Sequence, residues 1–310
     1  MRKVLTALAA IIVVVIIGAG AVQYFQSTTS KTPGTGGNTG PSNEAAPQPV
    51  QPDWCPAVEF ISAPGTWESA ADDDPLNPTA NPRSFMLSIS NPLKEAYAPE
   101  DVKVWTLPYT AQFQNINSKE EMTYDDSRNE GLARLEQELQ QTHADCPQTK
   151  FIIGGFSQGA VIAGDVANRI GSGNGVVPAE SVAGVALVAD GRRKNGEGIN
   201  PGVELGGTGA EIALEPISAL VQPVVPGATM RGPRAGGFGT LSDRTWQICA
   251  PDDAICDAPL NVRSGLDRAL ALIDANGVHA MYAYNQNVIP GTTADKWMVD
   301  WAKGIIDPLV

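Results

Sequence analysis

The chain has 310 residues, 43% of them apolar, enough to bury a substantial core in one large domain. Its 34 acidic residues outnumber 21 basic ones and give a net charge of -13 at pH 7. That surplus repels phosphate backbones and anionic headgroups at long range and argues against a nucleic-acid-binding function.

Arg2 and Lys3 precede an apolar run from Val4 to Val22, the layout of an export signal. Ala19 to Ala21 offers small residues for cleavage, yet the run approaches the ~20 residues that span a bilayer. Residues 1–25 therefore read as a signal peptide or an uncleaved signal anchor, and the length favours the anchor. The Pro/Gly/Ser/Thr/Asn tract over 26–52 holds too little apolar surface to offset its ordering entropy and is expected to be a disordered tether. The folded domain then occupies 53–310 and carries the chain's four cysteines: Cys55, Cys146, Cys249 and Cys256. An even count in an exported chain predicts two disulfides, with three possible pairings. With no C-x-x-C spacing and only two histidines, a zinc site is not expected, and nothing else in the sequence implies a cofactor.

Within the domain, short apolar runs bounded by turn residues predict buried strands at 57–62, 102–107, 150–155, 182–189 and 245–250. Between them lie helical periods. Leu132, Leu135 and Leu139 mark a helix over about 124–143, and Val161, Ile162, Val166 and Ile170 one over 158–170. Leu266, Leu270 and Ile273 line another near 262–275, while Trp297, Trp301 and Ile305 line the last. Strands alternating with helices predict an α/β fold, a central, mostly parallel sheet flanked by helices on both faces. Residues 191–240, rich in Gly and Pro with weak periodicity, form a long insertion that reads either as a functional segment or as a surface excursion.

The sequence G-F-S-Q-G (Gly155 to Gly159) joins the predicted strand 150–155 to the helix at 158–170, the context in which G-x-S-x-G presents a nucleophile. A strand that reverses this tightly forces the serine into a strained backbone conformation, and flanking glycines remove colliding side chains. Ser157 then stands at the carboxyl edge of the sheet, with the N–H of Gln158 aimed at the same space. A serine needs a base. Only His143 and His279 are available, and the Ser, acid, His order of α/β hydrolases selects His279, while His143 ends a helix beside Cys146. The acid belongs between them in sequence. The segment CAPDDAIC places Asp252 and Asp253 between two cysteines, where a small ring would hold a carboxylate rigid, so either is a candidate; Asp190, Glu204 and Asp243 lack such support.

Three segments, CPQTKFIIGGFSQGA, CAPDDAIC and HAMYAY, together resemble the cutinase family of serine esterases from about Cys55 to the last helix. The resemblance implies a small α/β-hydrolase fold, nucleophile Ser157, acid Asp253 and base His279, and disulfides Cys55–Cys146 and Cys249–Cys256. It further implies an oxyanion hole built from Gln158 and from Thr66 in the segment SAPGTWES. The leader, the PGTWES segment and the acidic body are most similar to the cell-envelope cutinase-like lipases of mycolic-acid-producing bacteria, associated with phospholipase and thioesterase activity. The tether and the long insertion depart from compact secreted cutinases and argue against a polymer substrate. The expectation is thus an exported esterase of lipid acyl esters, anchored in the envelope or secreted. The alternatives are an envelope acyltransferase that passes the acyl-enzyme to a sugar hydroxyl, and an inert envelope scaffold.

Overall fold

In the computed structural model, residues 51–259, Leu270 and 277–310 are described. The leader, nearly all of the tether and, apart from Leu270, the helix expected over 262–275 lie outside these residues. Five strands form one all-parallel sheet: β1 (Val58–Ala63), β2 (Val102–Thr106), β3 (Lys150–Phe156), β4 (Val182–Val188) and β5 (Thr245–Ile248), in the order β2-β1-β3-β4-β5. The architecture is α/β, a central parallel sheet flanked by helices, as the alternation of periods predicts. β5 stops two residues short of the expected end because the chain turns at Ala250 toward the Cys249–Cys256 ring.

Strand side chains alternate between two cores, as the two-residue period requires. Phe60 and Ile152 face α1 (Leu87–Ala96) and the C-terminal helix (Ala294–Ile306), where Ile89, Leu93, Met298 and Ala302 are buried. Ile61 and Ile153 face the other way, onto Leu135 and Leu139 of α2 (Tyr124–Asp145) and Ile162, Val166 and Ile170 of α3 (Gln158–Gly171). α2 is started by Thr123, whose hydroxyl accepts the Asp126 N–H, with Asp125 and Asp126 in the first turn complementing the helix dipole. α1 has no counterpart in the sequence reading, because Ser88, Ser90 and Pro92 interrupt its apolar period.

The insertion has more structure than its composition suggests. It contains α4 (Ala210–Leu214), a 3-10 turn at Glu215–Ile217 and α5 (Ser218–Val221). It also has an apolar cluster of its own, in which Leu214, Val221, Val224, Val225, Ala228 and Met230 pack around Tyr124. Cys55 is bonded to Cys146, tying the entry of β1 to the end of α2 across 91 residues, and Cys249 is bonded to Cys256. By loop-closure entropy the first bridge stabilises the fold by about 4–5 kcal/mol. Among the described residues no helix is long and apolar enough to cross a membrane.

Candidate active site

β3 is the central strand, and the chain leaves its carboxyl end through a turn with almost no room. Ser157 has φ 53° and ψ -120°, a conformation that non-glycine residues rarely adopt, and its N–H donates to Val188 O at 2.9 Å. A Cβ at 155 would lie 2.6 Å from Gly159 O, and one at 159 would lie 2.1 Å from Ala63 O and 2.4 Å from Pro64 O. Both glycines are therefore demanded by contact, because the start of α3 presses against the end of β1. Ser157 is thereby lifted clear of the sheet edge, and the free N–H groups of the first turn of α3 surround it.

Three side chains remote in sequence converge there. His279 Nε2 lies 2.9 Å from Ser157 Oγ, and its Nδ1 lies 2.9 Å from Asp253 Oδ2 and 3.1 Å from Oδ1. With the ring proton on Nδ1 facing the carboxylate, Nε2 offers its lone pair to the serine hydroxyl. Asp253 is fully buried. Burial by itself would push its carboxyl up, but the hydrogen bond and charge of His279, the Tyr282 hydroxyl at 2.7 Å and the Ile255 N–H at 2.9 Å hold it below the usual value. Asp252 is exposed, at φ 63°, and Asp253 is the one of the pair that faces the imidazole. His143 lies on the last turn of α2, beside the Cys55–Cys146 bridge at the opposite edge of the sheet, and is not brought to the site. Asp190 is buried in an ion pair with Arg234.

Two aromatic residues that the sequence reading left without a role hold this arrangement. Phe156, the variable residue before the serine, stacks on the His279 ring at 5.1 Å and 24°. Tyr282 accepts the Ala250 N–H at 2.9 Å while donating to Asp253, so it links the end of β5 to the carboxylate. Its position three residues after His279 in HAMYAY was visible, but its partner was not.

Thr66 and Gln158 both line the cavity beside Ser157. The Gln158 side chain is turned away, accepting from Ser127 Oγ and donating to Gln112 O, which leaves its backbone N–H toward the site. The loop carrying Thr66 is fixed at several points. Trp67 N–H donates to Ala111 O, the Tyr109 hydroxyl to Pro64 O at 2.7 Å, and Gly65 N–H to Glu68 Oε2 at 3.0 Å. Glu68 also accepts from Phe85 N–H and Ser84 Oγ, although burial pushes its carboxyl up. It clamps the loop to the segment leading into α1. The cavity is about 760 Å³, within the size range of small-molecule sites. Phe85, Phe113, Tyr124, Met230 and Tyr282 are among the residues that line it.

A family model described as cutinase matches residues 54–286. A carboxylesterase Culp6 homolog of Corynebacterium glutamicum is 64% identical over 99% of both chains. Among solved structures, a cutinase-like protein from Cryptococcus sp. shares 18% identity and a TM-score of 0.49 over 83% of this chain and 98% of its own. The catalytic core of acetyl xylan esterase from Trichoderma reesei shares 16% identity and a TM-score of 0.48 over 83% of this chain and 100% of its own.

Proposed function

The chain belongs to the cutinase family and is a serine carboxylic-ester hydrolase, and from that premise we propose that Ser157 is its nucleophile, His279 its general base and Asp253 the acid that orients the imidazole. Ser157 Oγ attacks the acyl carbonyl as its proton passes to His279 Nε2. The bond to the leaving group breaks as His279 returns that proton to the departing alcohol or thiol. Water, deprotonated by the same imidazole, then releases the acid and restores the serine. The oxyanion is held by the N–H groups of Gln158 and Thr66; in sites of this kind one donor is worth about 10²–10³ in kcat.

The observation that carries the reading is the unbroken relay, 2.9 Å from Ser157 Oγ to His279 Nε2 and 2.9 Å from Nδ1 to Asp253 Oδ2. The substrates are acyl esters of lipids, including phospholipids, and acyl thioesters. The aromatic and apolar cavity walls support an acyl chain as the bound part. Action outside the cytosol is supported by the two disulfides and by the leader, which with the 26–52 tether would hold the domain at the envelope. The test is a panel of p-nitrophenyl esters, phospholipid, triacylglycerol and acyl thioester, run on wild type and Ser157→Ala. Wild type should cleave p-nitrophenyl esters together with phospholipid or thioester, and Ser157→Ala should lose more than about 10³ in kcat. A Ser157→Ala protein as active as wild type defeats the mechanism, and a dominant acyl-sugar product in the presence of trehalose replaces hydrolysis by transfer.

A further inference from the structure

The insertion is fastened from behind by charges that take no part in the chemistry. Asp165, on the buried face of α3, accepts from Arg192 and Arg234 at 2.8 Å each and also pairs with Arg231. Arg234 reaches Asp190 at 2.6 Å, and Arg231 holds Glu211 through two bonds of 2.8 Å. Tyr124 closes the set by donating to Glu211 at 2.7 Å. Three guanidinium groups thus meet three carboxylates in a largely buried cluster. Burial opposes ionisation of Asp165, but the surrounding Arg234, Arg231 and Arg192 hold its carboxyl far below the usual value. Lifting Arg192, Arg231 and Arg234 away from Asp165 would strand these charges, so the stretch around Met230 stands as a fixed wall.

Met230 is held on both sides of its own backbone. Thr229 donates its N–H and hydroxyl to Asp125 in the first turn of α2, and Arg231 belongs to the ion cluster. Met230 N–H donates to Ser218 Oγ at 3.1 Å. The side chain, 5% exposed, packs in the insertion's apolar cluster and also lines the cavity. Tyr124 shares its cluster and Phe113 packs against it, and Val161, Ala210 and Ile255 line the same cavity. Glu211, next to Ala210 in the lining, is taken up by Arg231 and Tyr124.

We propose that the lining at Met230 is the acyl-chain arm of the cavity and that Met230 sets the longest acyl chain the enzyme accepts, an inference that rests on Ser157 forming the acyl-enzyme. A fixed backbone cannot retreat before a longer chain, so selectivity follows the volume of the side chain at this position. The test compares kcat/KM for p-nitrophenyl laurate and butyrate in wild type, Met230→Ala and Met230→Trp, each checked for folding by thermal melting. Met230→Ala should raise the laurate-to-butyrate ratio and Met230→Trp should lower it, each by at least about tenfold, the discrimination one methylene commands in an apolar pocket. A ratio unchanged in both folded variants overturns the proposal.

A second measurement needs no variant: the rate at which p-nitrophenyl alkylphosphonates from butyl to hexadecyl inactivate the wild-type protein should climb with chain length and then drop sharply. A rate that climbs throughout overturns the proposal. Ser157→Ala, assayed alongside on butyrate, separates the two levels. Turnover there at the wild-type rate removes the serine mechanism and this arm together, whereas an unmoved ratio with Ser157→Ala slowed by about 10³ or more removes only the arm.

Discussion

Replacing Gly159 by alanine tests whether the crowding at the serine turn sets the catalytic geometry. The new Cβ would lie 2.1 Å from the Ala63 carbonyl oxygen and 2.4 Å from that of Pro64, against the 3.0 Å below which real Cβ contacts essentially do not occur. One side must give way by about 1 Å, and backbone atoms on both sides leave no flexible side chain to absorb it. If the β1 loop retreats, it carries Thr66 away; if α3 retreats, it carries the Gln158 N–H. Either shift opens the space proposed for the oxyanion, and a misplacement of about 1 Å costs on the order of 10² in rate. Overpacking of this kind destabilises by about 1–3 kcal/mol, which lowers the melting temperature without unfolding the domain. The assay is kcat and KM on p-nitrophenyl butyrate, well below the melting temperature of the variant. The expected outcome is a kcat lower by about 10² with KM little changed, the signature of an interaction made in the transition state. A folded Gly159→Ala enzyme with wild-type kcat refutes the reasoning.

Tyr282→Phe removes one hydrogen bond to the Asp253 carboxylate, a charged-group interaction of about 1.5–3 kcal/mol, and should lower kcat at least about tenfold while KM stays level. An unchanged kcat would show that His279 and the Ile255 N–H suffice to keep Asp253 in place. Replacing Cys249 and Cys256 by alanine opens a bridge of sequence separation 7. Loop entropy assigns it only about 2–3 kcal/mol, so activity should fall more steeply than the melting temperature; equal loss would make the ring a general staple. Asp165 and Asp253 have folded-state pKa values below their unfolded ones, so the stability they contribute is complete above the unfolded value, ~3.9, and is lost as pH falls through the lower folded values. The stability these two groups contribute should therefore be lost below about pH 4, read as a falling melting temperature there, and a melting temperature that rises as pH falls below about 4 would contradict the assignment.

The serine turn was legible because all its determinants are local: an apolar strand, two glycines at fixed spacing and an apolar helix period. The position of His279 and the pair Asp252 and Asp253 were legible for a related reason, since chain order and a short motif limit the candidates, while the cysteine pairing and the choice of Asp253 came from the family resemblance. What escaped depends on partners far away in sequence. Glu68 reads as an ordinary surface acid until Phe85 and Ser84 are placed against it. Asp165 lies within a helix whose apolar period is otherwise clear, and the arginines that justify its burial come from 27 to 69 residues further on. The insertion looked irregular because its short helices answer to that ion cluster and to Tyr124, and not to a sheet face. α1 was hidden by serines that turn their hydroxyls onto its own carbonyls, Ser88 to Phe85 O and Ser90 to Met86 O.

The most direct measurement is covalent labelling with a fluorophosphonate followed by peptide mapping. The account predicts one adduct, on Ser157, absent from Ser157→Ala and formed at least about 10³ times more slowly in His279→Ala. Stoichiometric labelling of another residue, or labelling of Ser157 that ignores the loss of His279, would contradict it.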